Sequence, residues 1–149
     1  MRFPILFAVM LLCGAGAALQ AQSEAELQMM YQSFAEKRGY EGFVDGDGDY
    51  QFKADGYTYF FEVDEDDPLF FRLVLANIWE IESETERLQV LKAADAVNYQ
   101  LKAVKIFTVE DNVWVGIEVL QADVSDFERQ FDRYMTIITE AVDRFKGRM

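Results

Sequence analysis

The 149-residue chain contains no histidine and a single cysteine, Cys13. Imidazole-zinc sites, Ser-His-Asp triads and Cys-His pairs are therefore beyond its means. Its serines read as structural: Ser23, Ser83 and Ser125 each open a Ser-x-x-Glu capping box, and Ser33 falls inside a helical stretch. Gly46 and Gly48 sit among aspartates, which would repel a phosphate rather than cradle it. No residue is assigned a catalytic role, no cofactor is implied, and a non-enzymatic protein is expected.

Carboxylates are what remain. Asp45, Asp47 and Asp49 alternate with glycines in the manner of a calcium loop, although Tyr50 and Gly56 stand where an EF-hand needs glycine and a bidentate glutamate. A second acidic run, Asp64 to Asp67, follows one hairpin later. Counting outward from the Asp55-Gly56 turn places Asp47 opposite Asp64 and Asp45 opposite Asp66, at one end of a sheet. Hard-cation or small-ligand binding by Asp45, Asp47, Asp49, Asp64 and Asp66 is the alternative function; the simpler account is two solvated turns.

Aromatic residues offer the main binding chemistry. Trp114 points away from the Val113, Val115, Ile117 and Val119 stripe, and Phe60 and Phe70 occupy faces that the pattern leaves open. Either these three form an apolar patch for a partner or a second copy, or the helix from Ser83 to Tyr99 covers Trp114 as core. Arg72, set among apolar residues, needs a carboxylate if buried, and Glu62 on the neighbouring strand is the candidate.

A formal net charge of −13 disfavours nucleic acid and anionic membrane surfaces as partners. Arg2, the apolar run Phe3 to Leu12 and Leu19-Gln20-Ala21 have the layout of a secretory leader over residues 1–21, too short to span a bilayer. Cys13 as a lipid-modified residue fits less well, because Leu12 precedes it where a small residue belongs. One mature domain of residues 22–149 is expected, periplasmic or secreted, with no disulfide.

The elements that must position these groups follow from periodicity. Leu27, Met30, Tyr31 and Phe34 mark a first helix closed by Gly39. Strands around Tyr50 to Ala54 and Tyr57 to Val63 flank the Asp55-Gly56 hairpin, and Leu69 to Trp79 reads as a central strand covered on both faces. A helix from Ser83 to Tyr99, closed by Asn98 as a C-terminal cap, precedes strands Lys102 to Val109 and Val113 to Leu120. Phe127, Phe131, Tyr134, Ile138, Val142 and Phe145 stripe a final helix. The expected class is α+β, helix, three strands, helix, two strands, helix, with a five-stranded, mainly antiparallel sheet packed by helices.

This element order resembles the type III secretion chaperone-like fold. Within it, Asp66-Asp67-Pro68-Leu69-Phe70-Phe71-Arg72-Leu73, Ala96-Val97-Asn98, Lys102-Ala103-Val104-Lys105, Trp114 and the aromatic last helix are similar to YbjN-type domains. The resemblance runs from about Gly39 onward and implies protein binding, often by dimers, with no catalytic motif to carry over. An exported protein-binding domain, chaperone-like or regulatory, is the resulting expectation. Its partner would be another protein or a second copy of the chain.

Overall fold

The computed structural model describes residues 22–149; residues 1–21, on which the expected secretory leader and Cys13 fall, lie outside the described residues. The order is α1 (Glu24–Lys37), β1 (Gly42–Val44), β2 (Tyr50–Ala54), β3 (Tyr57–Phe61), β4 (Phe70–Glu80), α2 (Glu84–Gln100), β5 (Val104–Val109), β6 (Asn112–Leu120) and α3 (Phe127–Lys146). The six strands form one antiparallel sheet in the order β1-β2-β3-β4-β6-β5. The strand beyond the expected five is β1, a three-residue segment that pairs Phe43 with Gln51.

Local chemistry accounts for most boundaries. In α1 the Ser23 hydroxyl accepts from the Glu26 amide while the Glu26 carboxylate accepts from the Ser23 amide, a complete capping box. In α2 only half of the box forms: Ser83 accepts from the Glu86 amide at 3.2 Å, and the Glu86 carboxylate turns instead to the Glu82 amide and the Trp79 indole, each at 2.8 Å. The box expected at Ser125 does not form. The Ser125 hydroxyl donates to Asp123 at 2.6 Å, and α3 starts after Asp126, whose carboxylate accepts from the Ala122 and Asp123 amides. The freed Phe127 amide is met by the Gln121 side chain at 3.2 Å.

The Asp55-Gly56 turn has both residues at positive φ, as a two-residue hairpin with native twist requires. The register that follows, Ala54 with Tyr57 through Tyr50 with Phe61, matches the count made from the turn. Beyond Tyr50 that count fails. The chain doubles back into β1 instead of continuing along β3, and Asp45 closes the new hairpin with its amide on the Asp49 carbonyl at 2.8 Å.

All three helices pack on one side of the sheet. Their buried residues share one core with Tyr50, Phe52, Tyr59, Phe61, Phe71, Leu73, Leu75, Val113, Val115 and Ile117, the inward positions of alternating strands. Aromatic rings dominate it: Phe61 stacks on Tyr31 at 4.8 Å and Phe71 on Phe127 at 4.9 Å. Val74 and Ala76 of the central strand are buried but stand outside that core, on the opposite face. The expectation that helices cover β4 on both faces is thus corrected: that opposite face has no helix over it.

Candidate binding face

The uncovered face is built from the outward positions of six strands. A β-bulge between Leu75 and Trp79 interrupts the β4–β6 register, and within it Asn77 adopts a left-handed conformation, φ 55°. Asparagine tolerates that backbone better than most residues. The bulge aims the Asn77 side chain back over β6, where its Oδ1 accepts from the Trp114 indole at 3.0 Å.

Trp114 is held on two further sides. The Phe60 ring lies nearly parallel to it, 8° off, with centroids 6.1 Å apart; Phe107, directly opposite on β5, is tilted by 51° at 6.4 Å. Gly116 makes room for Phe107: a Cβ there would meet the Phe107 ring at 3.4 Å and Val74 at 3.8 Å. These rings bury Val74 completely without help from a helix. Trp114 is therefore neither under α2 nor in the helix-side core; it belongs to a half-buried aromatic cluster on the open face.

An ion network borders the cluster. Arg72 reaches Glu62 at 2.5 Å, the neighbouring-strand partner expected for it, and its Nε lies 3.0 Å from Glu118 as an ion pair without hydrogen-bond alignment. Lys105 meets Glu118 at 2.5 Å, and both cations lie over the Phe107 ring, at 5.4 and 5.1 Å. Arg72 and Lys105 thus neutralise Glu62 and Glu118 in a chain of net charge −13, while Lys53 stands further along the same face opposite Thr58.

The structure brings Phe60 and Trp114 together and leaves Phe70 apart. Phe70 pairs with the exposed Leu120, one row beyond the Arg72–Glu118 pair, and forms a separate apolar end of the face. Sequence reasoning missed Phe107 and Phe43. Phe107 could have been found by counting across the Glu110-Asp111 turn to Trp114. Phe43, 61% exposed on β1, lies beside Gln51 on the same face, and nothing in a three-residue strand announces it.

The acidic residues are organised differently. Asp45 accepts from the amides of Asp47 and Asp49 at 3.0 and 3.1 Å, Asp49 from Val63 at 2.8 Å, and Asp64 from Asp66 and Asp67 at 3.0 and 3.3 Å. Both runs lie at the end of the sheet beside the start of α1, whose Glu24 amide donates to Glu65 at 3.2 Å and whose Gln28 donates to the Gly48 carbonyl at 2.9 Å. Half-burial raises the Asp49 pKa, with Glu62, Asp45 and Asp47 adding to the rise and the Val63 amide opposing it. Among the described residues no group of three or more acidic side chains gathers as metal ligands would.

With this geometry in view, solved structures supply the comparison. The crystal structure of YbjN from E. coli, a proposed transcription regulator, superposes with a TM-score of 0.58 at 14% identity, covering 76% of this chain and 87% of that one. The HopA1-SchA chaperone-effector complex matches with a TM-score of 0.56 at 14% identity, covering 80% of this chain and 95% of that one. No family model and no curated protein matches the chain. The fold is YbjN-like and type III secretion chaperone-like.

Proposed function

We propose that the chain is an exported, non-enzymatic domain that holds an apolar segment of another protein against the open face of its sheet, in a chaperone-like or regulatory role. The observation that carries this reading is the position of Phe60, Trp114 and Phe107 on a face that no helix covers. Tryptophan and arginine placed centrally on a surface are the residue types on which binding energy concentrates. Arg72 and Lys105 neutralise Glu62 and Glu118 where they border the cluster, so an apolar segment meets paired rather than unopposed carboxylates there. A structural neighbour that is a chaperone-effector complex supports the protein-binding part.

The test compares wild type with Trp114→Ala, both purified from the compartment where the protein accumulates, for retention of partners from that compartment. Far-UV circular dichroism confirms that the variant is folded. A partner held by wild type and lost by the variant is expected; equal retention overturns the reading. Export has its own test: a mature N-terminus at Gln22 in the exported fraction is expected, and full-length protein confined to the cytoplasm contradicts it.

A second copy of the chain is the rival occupant, and one observation favours self-association at another surface. Leu88, Leu91 and Tyr99 of α2 are 55, 48 and 91% exposed. Light scattering of wild type and Leu88→Glu separates the cases, since a dimer through α2 would revert to monomer in the variant.

A further inference from the structure

On the helix side of the sheet, away from the open face, a cavity of about 230 Å³ lies between the β2–β3 turn, β4 and α3. Its floor is Tyr59, Leu75 and Val142, all buried; its mouth carries Asp55, Tyr57, Thr139 and Asp143. It opens beside a shallow groove along α3 that shares Asp55, Thr139 and Asp143.

Tyr59 is only 2% exposed, and among the described residues its hydroxyl meets no hydrogen-bond partner; its oxygen is not one of the fully enclosed polar atoms, so it opens into the cavity. Burial, with Asp55 second, pushes its pKa up to about 12, so the group stays protonated and Asp55 lies near it. The Thr139 hydroxyl donates to the Met135 carbonyl at 2.9 Å, which leaves its oxygen free to accept. Arg144, adjacent to Asp143, is committed to Glu140 and Gln100, so Asp55 and Asp143 stay outside the ion pairs of the described residues.

We propose that this cavity binds the ammonium group of a small organic amine. The carboxylates of Asp55 and Asp143 supply charge, the Tyr59 and Thr139 oxygens accept N–H donors, and the alkyl chain lies against Leu75 and Val142. An ammonium already uses one wall from outside: Lys146 Nζ lies 5.2 Å above the Tyr57 ring and 2.9 Å from its hydroxyl. The volume falls below the roughly 300–1,000 Å³ of drug-sized sites, which suits an amine of a few carbons. The same chemistry could arrive as a free amine or as the lysine side chain of a partner.

The experiment follows backbone amide shifts in the full mature protein as n-butylamine hydrochloride or Nα-acetyl-lysine amide is added at constant ionic strength. Sodium chloride and 1-butanol are the controls. Saturable shifts at Tyr59, Leu75, Thr139 and Val142 are expected, and the tighter probe identifies the source. Tyr59→Phe, which keeps the ring, and the exposed Asp143→Asn should each weaken binding about tenfold, the loss of one charge-assisted hydrogen bond. If Tyr59→Phe does not fold, Asp143→Asn decides alone. Absence of saturable shifts, equal binding of 1-butanol, or no effect of the variants overturns the proposal. Such failure leaves the open-face reading intact, since the two sites share no residue.

Discussion

Asn98 provides the sharpest test of how this sheet is kept from extending. The Asn98 amide donates to the Ile106 carbonyl at 3.1 Å, and its Oδ1 accepts from the Ile106 amide at 2.8 Å. The side chain therefore occupies the position a neighbouring strand would take on the outer edge of β5, rather than capping α2 as the sequence suggested. Asn98→Ala removes both bonds and strands two backbone groups at a residue that is 3% exposed. With about 1 kcal/mol for each net bond, and somewhat more where a group stays dry, the loss is about 2–3 kcal/mol. For an m-value of about 2 kcal/mol/M the urea midpoint falls by roughly 1–1.5 M. Asn98→Asp retains the acceptor but sets a carboxylate against the Ile106 carbonyl. Its deficit should shrink at acidic pH, where a protonated carboxyl can donate again. Both variants expose an unpaired edge, so sedimentation should show association that grows with concentration. A midpoint within about 0.3 M of wild type, with a monodisperse variant, would refute the assignment.

Asp49→Asn should stabilise the protein at neutral pH. The native carboxyl has a raised pKa, so the folded state binds more protons than the unfolded one between the unfolded and folded values, and stability falls as pH rises through the folded value. Asparagine keeps the acceptor for the Val63 amide, and its advantage over wild type should vanish in melts taken below the unfolded-state value. Gly42→Ala should loosen β1, because a Cβ would fall 2.2 Å from the Gln51 carbonyl and 2.8 Å from the Tyr50 hydroxyl; faster amide exchange at Gly42 to Val44 is the readout, and unchanged exchange contradicts it. Millimolar calcium should leave the thermal midpoint unmoved, since Asp45, Asp49 and Asp64 already bind backbone amides; a saturable rise would restore the cation reading. Phe127→Ala, by contrast with Trp114→Ala, should cost about 3–5 kcal/mol in denaturant melts, because Phe127 is fully buried among Tyr31, Phe34 and Phe71.

Features fixed by neighbours in sequence were the legible ones. Asp55-Gly56 set the β2–β3 register by itself, and an arginine among apolar residues called for a carboxylate on the neighbouring strand, which is Glu62. Long stripes such as that of α3 were equally plain. Elsewhere several groups competed for the same partner. Ser125 could have capped α3, but Asp126 and Gln121 reach the loop amides first, and the choice depends on where the chain arrives from β6. Phe43 lies on a strand with too few residues to show alternation. The face of Trp114 was ambiguous for a different reason: Val74 and Ala76 look like core whether helices or aromatic rings bury them. The hydroxyl of Tyr59 left no trace at all, because strand alternation predicts burial and says nothing of where a phenol's proton goes.

The two indoles sit on opposite sides of the sheet. Trp79 lies 6.2 Å from Phe145 on the helix side with its N–H on Glu86, and Trp114 stands between Phe60 and Phe107 on the bare side. Replacing Trp79 by phenylalanine would leave a single tryptophan, at the middle of the proposed docking surface, to be excited selectively over the seven tyrosines. Its emission would then register the arrival of any molecule there directly, without a label and before that molecule has been identified.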